Sequence, residues 1–179
     1  MTAVAQEGFF TTPQAKDAGY SAQLLRHHVK SGSIERVRRS IYRFKHYPPP
    51  QQEELVIAWL WSDREGVLSH QTALALHDLS DALPHRIHLT LPSAWRSRRF
   101  RLPPGVVLHH ADVPPSERAW VGCVPTTSPA RTLNDCALAG TSPELLRQAA
   151  SQALRRGLVT RPEIGPVEQA LAPFGGLGA

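Results

Sequence analysis

Three consecutive prolines, Pro48-Pro49-Pro50, set the strongest limit on what this 179-residue chain can form. Proline has no backbone N–H and its ring clashes with the preceding helical turn. A triple repeat therefore lies neither inside a helix nor in a central strand. It makes a stiff, extended spacer of about 3 Å per residue. The chain is expected to organise separately on either side: a small domain over residues 1–47, a linker over 48–52, and a larger domain over 53–179.

Charge divides the chain at the same place. Residues 1–47 hold eight basic and three acidic side chains, while the rest of the chain holds twelve of each sign. The whole formal excess of +5 thus lies in the first quarter. A basic segment on a neutral body suggests a polyanionic partner. No run approaches the roughly 18 consecutive apolar residues of a membrane helix. Met1 to Glu7 lacks the charged-then-apolar pattern of a signal peptide. Two cysteines, Cys123 and Cys136, make neither a disulfide framework nor a zinc-ligand set, so a reducing, cytoplasmic setting is expected, with no membrane partner.

The basic quarter has a readable local pattern. Thr12 before Pro13 is suited to cap a short helix ending at Gly19. Ser21 opens a second helix to about Ser31, with Gly32 as its stop. Leu24, Leu25 and Val29 share one face of it, and Gln23, Arg26, His27 and Lys30 share another. Two helices joined by a short glycine-containing turn make a helix-turn-helix pattern. Arginine can bond guanine bidentately and glutamine can bond adenine, so the polar face suits a DNA groove. Ile34–Val37 and Ile41–Phe44 read as two strands with Arg38-Arg39-Ser40 at the tip. A basic hairpin after a recognition helix is a wing, and its arginines suit phosphates or the minor groove. The candidate DNA-binding set is Thr12, Ser21, Gln23, Arg26, His27, Lys30, Arg36, Arg38, Arg39 and Arg43.

Beyond the prolines, Leu55–Trp61 is apolar all round and reads as a buried element. Ser69 caps a helix running toward Leu79. Ile87–Leu91, Val106–His110 and Trp120–Val124 read as strands of a small antiparallel sheet. Thr126-Thr127-Ser128-Pro129 opens a helix to Leu138, Ser142-Pro143 opens another to Arg156, and Glu163–Leu171 forms the last. The fold class expected is α+β: an N-terminal winged helix-turn-helix, then mixed helices with a small antiparallel sheet.

The chemistry-bearing candidates in this second region are few. Trp95-Arg96-Ser97-Arg98-Arg99-Phe100-Arg101 is a second basic cluster, a candidate second nucleic-acid contact through Arg96, Arg98, Arg99 and Arg101. Arg131 and Asp135 stand four apart, spaced for a helical ion pair with a structural role or a part in partner contact. His70 and His77 lie two turns apart on a helix, wider than usual metal-ligand spacing, so no metal and no cofactor are expected. Adjacent Ser69 and His70 diverge on a helix and do not form a nucleophile–base pair. Cys136, in an apolar helix, reads as a small buried residue. A nuclease needs a carboxylate cluster with lysine on a strand, whereas the strands here carry His88, His109 and His110. The chain is not expected to be an enzyme.

The ordered set Gly8-Phe9-Phe10-Thr11-Thr12, Gly19-Tyr20-Ser21, Leu24-Leu25-Arg26 and Gly32-Ser33-Ile34-Glu35-Arg36-Val37-Arg38-Arg39-Ser40-Ile41-Tyr42-Arg43 resembles the AbiEi-type antitoxins and related transcriptional regulators. Leu68-Ser69-His70-Gln71-Thr72-Ala73-Leu74, Ile87-His88-Leu89-Thr90-Leu91-Pro92 and Thr126-Thr127-Ser128-Pro129-Ala130-Arg131-Thr132-Leu133 extend the resemblance over about residues 5 to 160. It implies a winged helix bound to repeats in the chain's own promoter, followed by an antitoxin-type domain. It also implies a nucleotidyltransferase-like toxin encoded nearby, countered in the type IV manner. A stand-alone regulator without a toxin, its second domain serving dimerisation or extra DNA contact, is the alternative. The oligomeric state is left open.

Overall fold

The computed structural model describes residues 2–48, 52–81 and 84–178. It divides into two compact units, Met1–Arg64 and Glu65–Ala179. The expected linker falls partly on residues 49–51, which lie outside the described residues. The division itself comes later than the prolines.

The first unit begins with a short helix α1 (Thr2–Ala5), then β1 (Phe9–Thr11), α2 (Thr12–Asp17) and α3 (Ala22–Lys30). A hairpin follows, β2 (Ile34–Arg38) and β3 (Ile41–Phe44), and α4 (Glu53–Trp61) closes the unit. Its sheet has the order β1-β3-β2, with both pairs antiparallel. The hairpin expected around Arg38-Arg39-Ser40 is present, and Ser40 takes a left-handed φ of 63° at its tip. A bulge lies between Arg36 and Arg38. The helix cap is shifted by one residue from the expectation. Thr11, not Thr12, caps α2, its hydroxyl and backbone paired with Gln14 in a reciprocal capping box. Thr12 is the first helical residue and is exposed.

One apolar cluster of this unit is Phe10, Ala15, Leu25 and Ile34, with Ala3, Tyr20, Val29 and Tyr42 packed around it. Leu24 does not join Leu25 inside but stays 41% exposed. A helix of nine residues against a three-stranded sheet presents too narrow an apolar stripe to bury both neighbours. Gly8 is needed where it stands: its φ is +85°, and a Cβ there would meet the Tyr47 Cβ at 2.6 Å. Helix α4, read from the sequence as an element of the second domain, packs on β1 and β3 of the first unit. Val56, Ile57, Ala58, Trp59 and Leu60 are all buried, as its apolar run requires.

The second unit contains β4 (Val67–Leu68), α5 (His70–Leu76), β5 (Ile87–Leu91), β6 (Val106–His110), β7 (Arg118–Val121) and β8 (Val124–Thr127). Three helices follow, α6 (Pro129–Leu138), α7 (Pro143–Arg155) and α8 (Gly165–Leu171). The sheet order is β6-β5-β4-β8-β7. The antiparallel sheet expected from the sequence is instead mixed: β5–β6 and β4–β8 are parallel, β4–β5 and β7–β8 antiparallel. Alternation reports which face of a strand is wet, not which neighbour it pairs with. The run Trp120–Val124, read as one strand, is a turn through Gly122 (φ 58°) between two strands. Thr126 and Thr127 belong to β8, and Ser128 alone caps α6.

Ser142 caps α7 and accepts from the Leu145 N–H, as its Ser-Pro start predicts. Leu74, Leu79, Leu133, Cys136, Leu146, Ala149, Ala150, Ala153, Ile164, Val167 and Leu171 form one continuous apolar core beneath the three helices. The alanines of α7 let its backbone approach α6 and α8 closely. Burial pushes the Cys136 thiol up to about 12, which fits the filler role read for it. No described helix is long and apolar enough to cross a membrane.

Candidate nucleic-acid interface

Helix α3 presents its polar side outward. Gln23, Arg26, His27 and Lys30 are all exposed. Their spacing places them on the face opposite Leu25, the buried residue of the helix. Ser21 at its start accepts from the Leu24 N–H at 3.1 Å, so its hydroxyl is used first as a cap. Arg26 folds its Nε back to the Ala22 carbonyl at 3.2 Å, leaving its Nη groups outward. His28, beside His27, turns inward instead: its Nδ1 lies 3.1 Å from Ser33 Oγ and its ring sits against Tyr20.

The hairpin follows directly and carries Arg36, Arg38 and Arg39, all exposed. The Thr12 N–H bonds the Ser40 carbonyl at 2.9 Å, tying the start of α2 to the hairpin tip. Thr12 and the tip arginines are thereby held near one another. Arg38 donates to its neighbour's Val37 carbonyl at 3.3 Å and no carboxylate pairs with it in the described residues.

Arg43 departs from this pattern. It bonds Glu35 at 3.3 Å and Glu53 at 3.4 Å, lies beside the Phe9 ring, and keeps a side-chain exposure of only 16%. Its charge is already compensated, so it serves to join the hairpin to α4 rather than to face outward. Nothing in the local pattern signals this pairing, because Glu53 lies beyond the prolines. Arg26 and Lys30 of α3 and Arg36, Arg38 and Arg39 of the hairpin are thus exposed, with no carboxylate paired to any of them among the described residues.

In the second unit the basic loop after β5 begins with a 3-10 turn at Ser93–Trp95. Arg96 donates to the His110 carbonyl at 3.1 Å, and Arg98 stacks on Trp95 with its Cζ 4.1 Å from the ring centre. Arg98, Arg99 and Arg101 are exposed. Arg131 and Asp135 form the expected ion pair, Nε to Oδ1 at 2.8 Å. The same guanidinium also binds Glu117 and the Asp112 carbonyl, so α6 is fastened to the segment leading into β7. Burial alone would lower the Arg131 guanidinium, but its bonds to Asp135 and Glu117 outweigh that and hold it above its ordinary value. Burial raises the Asp135 carboxyl above the usual carboxylate range despite Arg131.

Sequence spacing set His70 beside His77. The fold separates them: His77 Nε2 is 2.7 Å from the Thr127 carbonyl, while His70 joins His88 and His109. Those three lie on three different elements, and only the register of β5 against β6 brings them together.

The fold is similar to that in the crystal structure of the RV2827C protein from Mycobacterium tuberculosis, with a TM-score of 0.56 at 16% identity, covering 96% of this chain and 69% of that one. No curated protein matches the chain. The likeness in structure speaks for the fold. The cationic unit has a match of its own: residues 1–45 fit the family described as "Transcriptional regulator, AbiEi antitoxin", in agreement with the resemblance read from the same residues.

Proposed function

We propose that the chain is a sequence-specific DNA-binding transcriptional regulator of the AbiEi antitoxin type, with a winged helix-turn-helix in its first unit. The observation that carries this reading is the uncompensated polar face of α3 beside an exposed arginine-tipped hairpin, both within the family-matched residues. Helix α3 enters the major groove, where Gln23 and Arg26 read base edges and His27 and Lys30 meet base edges or phosphates. Arg36, Arg38 and Arg39 of the wing neutralise phosphates or enter the minor groove. Thr12, at the start of α2, meets the backbone from the side. Arg43 acts indirectly by fixing the hairpin.

The natural target is repeated sequence upstream of the chain's own coding region, which makes the protein an autoregulator. The role we assign to the second unit is antitoxin-type interaction with a toxin partner. The basic loop with Arg96, Arg98, Arg99 and Arg101 offers a further phosphate contact.

The test is a gel-shift titration on upstream and scrambled DNA at two salt concentrations, with Arg38→Ala/Arg39→Ala alongside. With about six phosphates contacted, affinity should fall about 10³-fold between about 50 and 200 mM salt. The double variant should bind more weakly and show a shallower salt slope. Equal affinity for scrambled DNA, or binding indifferent to the two arginines, would overturn the reading.

A further inference from the structure

We propose that His70, His88 and His109 form a binding site for a divalent late transition metal of the Zn²⁺ class in the second unit. The three residues each offer one imidazole nitrogen, and these atoms all lie within 4.8 Å of one another. His88 Nδ1 and His109 Nε2 are already 3.0 Å apart. Zinc–nitrogen bonds of about 2.0–2.1 Å in a tetrahedral site put ligand nitrogens about 3.3 Å apart, so this pair is spaced to share an ion.

The sheet explains the convergence. His88 and Thr90 are two apart on β5 and project from the same face. His109 stands opposite Thr90 in the parallel β5–β6 register, so it projects from that face too. His70 reaches over the same face from the first position of α5, in a left-handed conformation with φ of 50°. The His70 ring now stacks on His109, centroids 3.6 Å apart.

The surroundings fit metal ligation better than they fit three imidazoles alone. A ligating histidine donates its other ring N–H to an outer partner. Ser69 Oγ, 2.9 Å from His70 Nδ1, is placed to accept that proton, and Thr90 Oγ1 in turn holds Ser69 at 2.7 Å. Asp135 lies within electrostatic reach of His109, and its Oδ2 is buried without a hydrogen bond among the described residues. An acceptor in that state is otherwise costly. Imidazole suits Zn²⁺, Ni²⁺ and Cu²⁺ over Mg²⁺ and Ca²⁺, which prefer oxygen. Three protein ligands leave a fourth position to water or an incoming ligand.

The experiment titrates chelator-treated full-length protein with Co²⁺, read by the visible bands of tetrahedral Co²⁺, and then displaces it with Zn²⁺. The expected result is one equivalent bound, bleached by Zn²⁺. Binding should weaken at least about tenfold in His88→Gln and in His109→Gln. It should persist in His27→Asn/His28→Asn, which removes the adjacent histidines of α3. Zn²⁺ should also shift the ring signals of His70, His88 and His109 in the NMR spectrum of the unaltered protein, a readout that no folding defect can mimic. Absence of a bound equivalent, or ring signals of these three that do not move with Zn²⁺, would overturn the site. So would Co²⁺ binding that survives loss of His88 and His109 but not of His27 and His28.

Discussion

Arginine 131 offers the sharpest test of how the second unit holds together. Its guanidinium binds Asp135, Glu117 and the Asp112 carbonyl, and Asp135 Oδ2 is already buried without a partner. Arg131→Ala leaves the Asp135 carboxylate buried with nothing opposite. Removing one partner of a fully buried pair costs about 3–5 kcal/mol. Arg131 keeps 20% side-chain exposure and Asp135 12%. Water therefore screens part of the loss, and roughly 2–3 kcal/mol is expected. For a unit of this size that is a fall of roughly 8–12 °C in melting temperature. Asp135→Ala leaves Arg131 its contact with Glu117 and should cost less. The double variant removes the orphaned charge and should be no less stable than Arg131→Ala alone, a coupling of at least about 1 kcal/mol. The pH dependence has a definite sign. Burial holds the folded Asp135 carboxyl above its ordinary 3.8. Without Arg131 it rises further, so the folded state takes up the proton before the unfolded chain does. The deficit of Arg131→Ala should then shrink as pH falls from about 7.5 to 5. The assay is urea unfolding of the four proteins at both pH values. Additive single losses, or a deficit that ignores pH, would show that the network does not bear on stability and that Arg131 faces a partner instead.

Two further outcomes follow from local geometry. Thr11→Ala should cost about 1 kcal/mol of first-unit stability by removing the α2 cap, while Thr12→Ala should leave the urea midpoint within about 0.5 kcal/mol of the original and weaken DNA binding alone. Equal losses in stability would mean the cap is assigned to the wrong threonine. His77 is held below its ordinary 6.5 by burial and by Arg156, against the opposing pull of the Thr127 carbonyl and Asp78. Its contribution is full above pH 6.5 and declines below it, because the unfolded chain gains a proton that the folded one resists. The stability difference between the original protein and His77→Gln should therefore be largest near pH 7.5 and shrink toward pH 5.5; a constant difference would contradict it.

The sequence by itself determined the local features whose causes lie within a few residues. Ser-Pro starts placed α6 and α7. The basic turn between two β-rich runs placed the hairpin, and the apolar run placed α4 as a buried helix. The confinement of positive charge to the first quarter was equally plain, because charge needs no fold to be counted. Tertiary structure alone decided whatever depends on pairing between distant segments. It assigned α4 to the first unit, since a uniformly apolar helix says that it is buried but not against what. It used Arg43 to join Glu35 and Glu53, removing one arginine from a set that composition treats as equivalent. It made the five-stranded sheet mixed, because strand direction is set by connections and packing rather than by alternation. The three histidines show the difference most clearly. Helical spacing ranks His70 with His77, seven residues away, whereas a parallel register between β5 and β6 delivers His88 and His109 to the same point from 18 and 39 residues away in the chain.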